Sequence, residues 1–216
     1  IMLNSIMIIR NGKVITEGYY KPYSECIERS MHSATKSFTA TAIGLLIDEG
    51  RLKLEDTVMS FFPEYAPENP CDNLKKMNVW HLLTMTCGHD SVPPRKGTDN
   101  YVKQFLNHPV PYVPGTHFQY SSMASYMLTA IIRKVTGQNM TRYLRTRIFE
   151  PLGIYDAYCD TCPMGIEYGG GGLFLRTEDL AKLAVLYLNN GIWNGVRLLS
   201  ESWVKEFTKM QFRDSW

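Results

Sequence analysis

Two β-rich runs open the chain, residues 5–10 and 13–20. Between them lies Asn11-Gly12, the dipeptide that suits a type I′ turn, so a hairpin is predicted. Past it the apolar spacing becomes helical. Helices are predicted over 34–49, 78–86 with Asn78 as cap, 99–107, 122–136 ending at Gly137, and 141–149 ending near Pro151-Leu152-Gly153. Thr177-Glu178-Asp179-Leu180 predicts one more, with a threonine cap and two acids in its first turn, running to Asn190-Gly191. The segment 34–49 is apolar on nearly every side, from Phe38 and Ala42 to Leu45, Leu46 and Ile47. It should therefore be buried, with Gly50 as its stop.

Proline- and glycine-rich connectors separate these elements near 62–70, 93–97, 109–115 and 163–172. No repeat of 20–50 residues is present. Gly169-Gly170-Gly171-Gly172 reads as a loop, since four glycines offer no reactive side chain and no P-loop pattern accompanies them. Few strands are readable besides the hairpin: 172–175 and 196–199 are short. A two-stranded hairpin cannot bury an apolar face alone. The sheet is expected to be completed by residues outside this chain, with the open edge leaving room for self-association. The fold expected is α+β: a sheet-plus-helix subdomain from 1–50 and 157–216, and an all-helical subdomain over 51–156.

Composition adds exclusions. With 216 residues, 44% hydrophobic and 20% charged, the chain can bury a good core. Its net charge of +2 comes without a basic run or basic-aromatic stripe, so nucleic acid is not an expected partner. No apolar stretch reaches the ~18 residues of a bilayer span. Five cysteines at irregular spacing argue against a complete disulfide framework and lean towards a reducing, cytoplasmic compartment. The chain begins at Ile1 rather than methionine, so the missing signal peptide says little. Cys159-Asp160-Thr161-Cys162 is a lone C-x-x-C in a loop, without the second pair that zinc would need. Of the histidines, His81 is expected to pack inside a helix and His32 to line a turn; no metal or cofactor is expected.

The chemistry lies in Ser33-Ala34-Thr35-Lys36. Serine and lysine three apart at a helix start share a face, and a lysine of lowered pKa can take the serine's proton. Spacing alone decides nothing, because such a match arises about once by chance in a chain this long. Indeed Ser202-Trp203-Val204-Lys205 repeats it, within what reads as an ordinary helix start capped by Ser200. A second cluster, Phe118-Gln119-Tyr120-Ser121-Ser122, sets a tyrosine ahead of the 122–136 helix. By itself it reads as a packed aromatic and a serine N-cap. Beside Ser33 and Lys36, a phenol could accept the attacking proton and pass it to a leaving group.

Five stretches together resemble the serine β-lactamase and penicillin-binding protein superfamily, in its class C β-lactamase and D,D-peptidase-like branch, which includes esterases. They are 33–40, 80–88, 118–122, Ala130-Ile131-Ile132-Arg133-Lys134-Val135-Thr136-Gly137, and 171–180. The resemblance implies Ser33 as the acylated nucleophile, Lys36 as its proton-accepting neighbour and Tyr120 as general base and acid. It also implies that the Ser33 N–H forms half of an oxyanion hole. No cofactor is implied, and the substrate would be a small molecule or peptide-like.

Two departures matter. The tyrosine motif usually ends in an asparagine that grips an acylamino group; here Ser122 offers a hydroxyl as the substrate-binding residue, which leaves simple esters and amides open. The third motif, a Lys/His-x-Gly on a late strand, has no counterpart after Gly172. The chain is accordingly expected to be part of a longer protein and poorly active alone. The readings that follow are a serine hydrolase working through an acyl-enzyme on an amide, β-lactam or ester, or a catalytically incomplete binding or interaction module on the same fold. A thiol or zinc protein built on Cys159 and Cys162 is the remotest.

Overall fold

A computed structural model describes residues 3–95 and 97–212. Lys96 of the predicted 93–97 connector and the last four residues of the predicted 157–216 segment lie outside the described residues. The chain opens with β1 (Ser5–Arg10) and β2 (Lys13–Tyr19), then β3 (Arg29–Ser30). Helices α1 (Thr35–Asp48), α2 (Val58–Phe61), α3 (Asp72–Lys76), α4 (Val79–Thr84), α5 (Tyr101–Leu106), α6 (Ser122–Thr136) and α7 (Met140–Leu144) follow. After β4 (Tyr158–Cys159) and β5 (Leu173–Leu175) come α8 (Thr177–Leu188), β6 (Ile192–Trp193), β7 (Val196–Arg197) and α9 (Glu201–Thr208).

The opening hairpin forms around Asn11 and Gly12, both left-handed at φ 52° and 73°, as a type I′ turn requires. β1 and β2 pair antiparallel, from Ser5 opposite Tyr19 to Arg10 opposite Lys13. A separate antiparallel sheet has the order β3-β5-β4. Helix α8 runs against β1, yet Ile8, Val14 and Ile15 stay exposed on the hairpin.

Helix α1 is the centre of the core. Phe38, Ala42, Ile43 and Leu46 are wholly buried, packed with Ile131 and Met127 of α6, and Phe38 meets Phe149 at 5.9 Å between ring centroids. Each of these side chains except Ala42 contributes about 1.5–3 kcal/mol of transfer free energy. Gly50, at φ 68°, ends the helix by letting Arg51 N–H reach back to the Leu46 carbonyl at 2.9 Å. At Gly44 the surface of α1 is flat enough to seat the Trp203 indole of α9 directly on it.

Several predicted ends move. The helix predicted from 99 starts at Tyr101 as α5, capped by Asn100, whose side chain accepts from Lys103 N. Arg176, not Thr177, caps α8, because the Asp179 carboxylate takes the Arg176 N–H at 3.2 Å. The stretch predicted as one helix over 141–149 is α7 followed by a π-helical turn, Arg145–Phe149. His81 is half-buried rather than interior. Its Nδ1 accepts the Asn78 N–H at 3.1 Å while Asn78 accepts from His81 N, a reciprocal cap on α4. Among the described residues no helix is long and apolar enough to cross a membrane.

Candidate active site

Ser33 sits in a 3-10 turn, His32–Ala34, that feeds α1, so Ser33 and Lys36 do not share one α-helix as predicted. The turn still sets the two side chains together: Lys36 Nζ donates to Ser33 Oγ at 3.2 Å. β5 fixes the turn from the side. Met31 N–H bonds the Leu173 carbonyl at 2.8 Å, and Leu173 N–H bonds the buried Thr35 hydroxyl at 3.2 Å.

Tyr120 arrives from 87 residues away, on the extended segment leading into α6. That segment is held by Gly115 N–H on the Thr86 carbonyl at 2.8 Å and Gln119 N–H on the Met85 carbonyl at 3.0 Å. Ser121 then caps α6, its hydroxyl accepting from Ala124 N at 3.2 Å. The result places Tyr120 Oη 2.7 Å from Ser33 Oγ, with Lys36 Nζ 5.0 Å from the tyrosine ring centroid. Hydrogen bonding from Ser33, then from Lys36 with its charge, holds the Tyr120 phenol below the usual tyrosine range. The group is 48% exposed, so the trio opens to solvent.

The glycine run does more than the sequence reading allowed. The Gly170 carbonyl accepts a hydrogen bond from Lys36 Nζ, aiming the amine at Ser33. Only glycine fits here. A Cβ on Gly169 would lie 2.4 Å from Thr129 Cγ2, and one on Gly170 would lie 2.8 Å from the Ser122 carbonyl oxygen. Buried Thr129 donates to the Glu167 carbonyl at 2.6 Å, and the Glu167 carboxylate accepts the Thr141 N–H at 3.0 Å and the Thr141 hydroxyl. Burial raises the Glu167 pKa above the ordinary carboxylate value. Glu167 and Thr129 were invisible as site-forming residues, since only the folded loop reveals what they hold.

Ser122 lines a cleft of about 360 Å³ together with Arg95, Asp160, Tyr168, Gly170 and Gly171. The other predicted candidates lie apart. Lys205 pairs with Glu201 at 2.6 Å and Ser202 bonds Ser200 at 3.0 Å, so that repeat is a helix start. Cys159 and Cys162 are free thiols; Cys162 Sγ lies 3.3 Å from Tyr126 Oη, and burial pushes the Cys159 thiol up.

Comparison with known proteins places the chain in a family. The chain is 32% identical over 164 residues to Protein flp of Staphylococcus aureus (strain COL), covering 68% of this chain and 33% of that protein. It is 26% identical over 221 residues to the 6-aminohexanoate-dimer hydrolase of Paenarthrobacter ureafaciens, covering 94% and 56% respectively. The octameric penicillin-binding protein homologue from Pyrococcus abyssi superposes with a TM-score of 0.77 at 24% identity, covering 98% of this chain and 57% of that one. The chain thus spans between a third and somewhat over half the length of these relatives. The Beta-lactamase family profile matches residues 5–213, and with that match over nearly the whole sequence the chain belongs to the Beta-lactamase family.

Proposed function

We propose that this chain carries a serine hydrolase site in which Ser33 is acylated by an amide, β-lactam or ester. The carrying observation is the convergence of Tyr120 Oη at 2.7 Å and Lys36 Nζ at 3.2 Å on one serine hydroxyl. Lys36 donates to Ser33 Oγ and to the Gly170 carbonyl, so the proton of Ser33 is directed at the phenol oxygen. A phenol of lowered pKa is ionised, and so able to accept a proton, at lower pH than a free tyrosine.

The chemistry balances on these groups. Ser33 Oγ bonds to the substrate carbonyl carbon as its proton passes to the Tyr120 phenolate, leaving a tetrahedral oxyanion. The Ser33 N–H is one donor for that oxyanion, a contact that elsewhere is worth about 2.7–4 kcal/mol. Collapse breaks the bond to the leaving group, which takes its proton from Tyr120. Water then gives a proton to Tyr120 and attacks the ester carbon, and the Ser33 Oγ–carbon bond breaks as Tyr120 returns that proton to Ser33 Oγ, regenerating the serine and the phenolate. General base catalysis of this kind contributes about 10²–10⁴-fold. Lys36 and Tyr120 act as one proton-sharing unit.

The hydrolase named among the relatives acts on 6-aminohexanoate dimers, and a linear amide is therefore part of the substrate range proposed here. Intact mass spectrometry after exposure to a fluorophosphonate, a penicillin or an activated ester is the test. An adduct on Ser33, absent in Ser33→Ala, supports the reading. No adduct with any of the three assigns the chain to the alternative, a binding module that keeps the fold.

A further inference from the structure

The cleft beside Ser33 carries a charge pattern the reaction steps do not use. Its walls include the Gly170 and Gly171 backbone, and Gly170 also holds Lys36, while a Cβ on Gly171 would lie 3.7 Å from the His32 carbonyl. Ser122, two residues past Tyr120, lines it beside these glycines, a Cβ on Gly170 falling 2.9 Å from the Ser122 Cβ, and Arg95 lies over Tyr168 in the same lining. Gly170 links the cleft to Lys36 and through it to Ser33, and the volume of about 360 Å³ suits a chain of several heavy atoms.

Arg95 stands out because of what it lacks. Its guanidinium carbon lies 5.7 Å from the Tyr168 ring centroid, and no carboxylate lies within 4.0 Å of it among the described residues. Tyr168 is itself fixed, by its N–H on the Asp160 carbonyl at 2.8 Å and by stacking with Tyr101 at 6.3 Å. An aromatic face under the guanidinium orients the flat fork without consuming its N–H donors, which remain free for a bidentate acceptor. Lys36 is already committed, two of its three donors going to Ser33 and Gly170.

Which part of a substrate enters follows from the proton path. The leaving group takes its proton from Tyr120, which is 48% exposed, and so departs on the solvent side. The acyl part stays bound to Ser33 and occupies the walled cleft. We propose that this cleft is an acyl pocket for substrates bearing a carboxylate a few atoms from the scissile carbonyl, with Arg95 as the specificity-determining residue. The proposal rests on the Ser33 acyl-enzyme reading. Asp160 lines the same cleft and sets the competing preference, for an acyl group bearing an ammonium.

Three p-nitrophenyl esters with one leaving group separate these cases: the glutarate monoester, the butyrate and the 4-aminobutyrate. The rate of Ser33 acylation is followed by nitrophenolate release and intact mass. The expected result is a preference of about fivefold for the anionic over the neutral ester, the upper range of a partly exposed ion pair. The preference should shrink as salt rises, vanish in Arg95→Gln, and invert towards the cationic ester in Arg95→Glu. Equal rates for all three esters, or a cationic preference that Asp160→Asn removes, would overturn the proposal while leaving the serine reading intact. Absence of any Ser33 adduct with ester or fluorophosphonate overturns both.

Discussion

The Thr39 hydroxyl, on the second turn of α1, donates to the Gly169 carbonyl at 2.8 Å, with both residues buried. This bond joins the helix that follows the nucleophile to the loop whose next carbonyl holds Lys36. Removing it in Thr39→Val keeps the side-chain shape but strands a buried carbonyl, at about 1–3 kcal/mol of stability. Because Gly170 follows directly, the acylation rate should fall as well, and more than in a control of equal instability such as Ile131→Val. Urea unfolding and single-turnover ester acylation read the two effects.

Tyr120 carries a pH prediction. Its phenol is held below the ordinary tyrosine value by Ser33 and then Lys36, so the basic form accumulates at lower pH than for a free phenol. Acylation should rise with pH along a limb whose midpoint lies below 10. Lys36→Met removes a lowering contact and should move that limb upward. Tyr120→Phe should remove the limb and cost about 10²–10⁴-fold in kcat/KM. A midpoint unmoved by Lys36→Met would separate the lysine from the phenol's titration.

Gly44 gives a stability prediction in which two effects oppose. Alanine is the better helix former by about 1 kcal/mol. A Cβ at Gly44, however, would lie 2.2 Å from the Trp203 ring, and that ring is buried with its Nε1 donating to Tyr187 Oη at 3.3 Å. A rigid indole cannot yield as a flexible chain can, so overpacking at about 1–3 kcal/mol outweighs propensity. Gly44→Ala should lower Tm, and Gly44→Ala with Trp203→Leu should recover part of the loss.

Local chemistry made much of the fold readable. Asn11-Gly12, the Asn78 and Ser200 caps, and the stops at Gly50 and Gly137 each act through neighbouring backbone, and each lies where the pattern placed it. Arg176 takes the cap position instead of Thr177, its N–H held by the carboxylate of Asp179 three residues on, a reciprocal contact that a search for a hydroxyl cap overlooks. The site divides the same way. Ser33 and Lys36 are neighbours in the chain, whereas Tyr120 is linked to them by the proton chemistry open to a phenol and by the family resemblance, no periodicity linking positions 87 apart. The contribution of Gly170 is a main-chain carbonyl, which no residue type announces.

His89 shows what a composition count misses and supplies a prediction about acid. The ring is 2% exposed, neither nitrogen has a hydrogen-bond partner among the described residues, and it meets Phe105 of α5 edge-on at 4.8 Å and His108 at 5.2 Å. Burial, with the neighbouring His108, pushes its pKa down to about 4 from an ordinary 6.5, Asp90 opposing only in part. A histidine whose folded pKa is depressed binds its proton more readily when unfolded. Its stability contribution is therefore intact above pH 6.5 and falls as pH drops from there towards 4, on the order of 3 kcal/mol in total. His89→Phe removes the titration while keeping a ring against Phe105, so its urea midpoint should stay flatter than that of the native chain over this window. Parallel curves for the two proteins would mean that His89 is already protonated, or solvated, in the folded state.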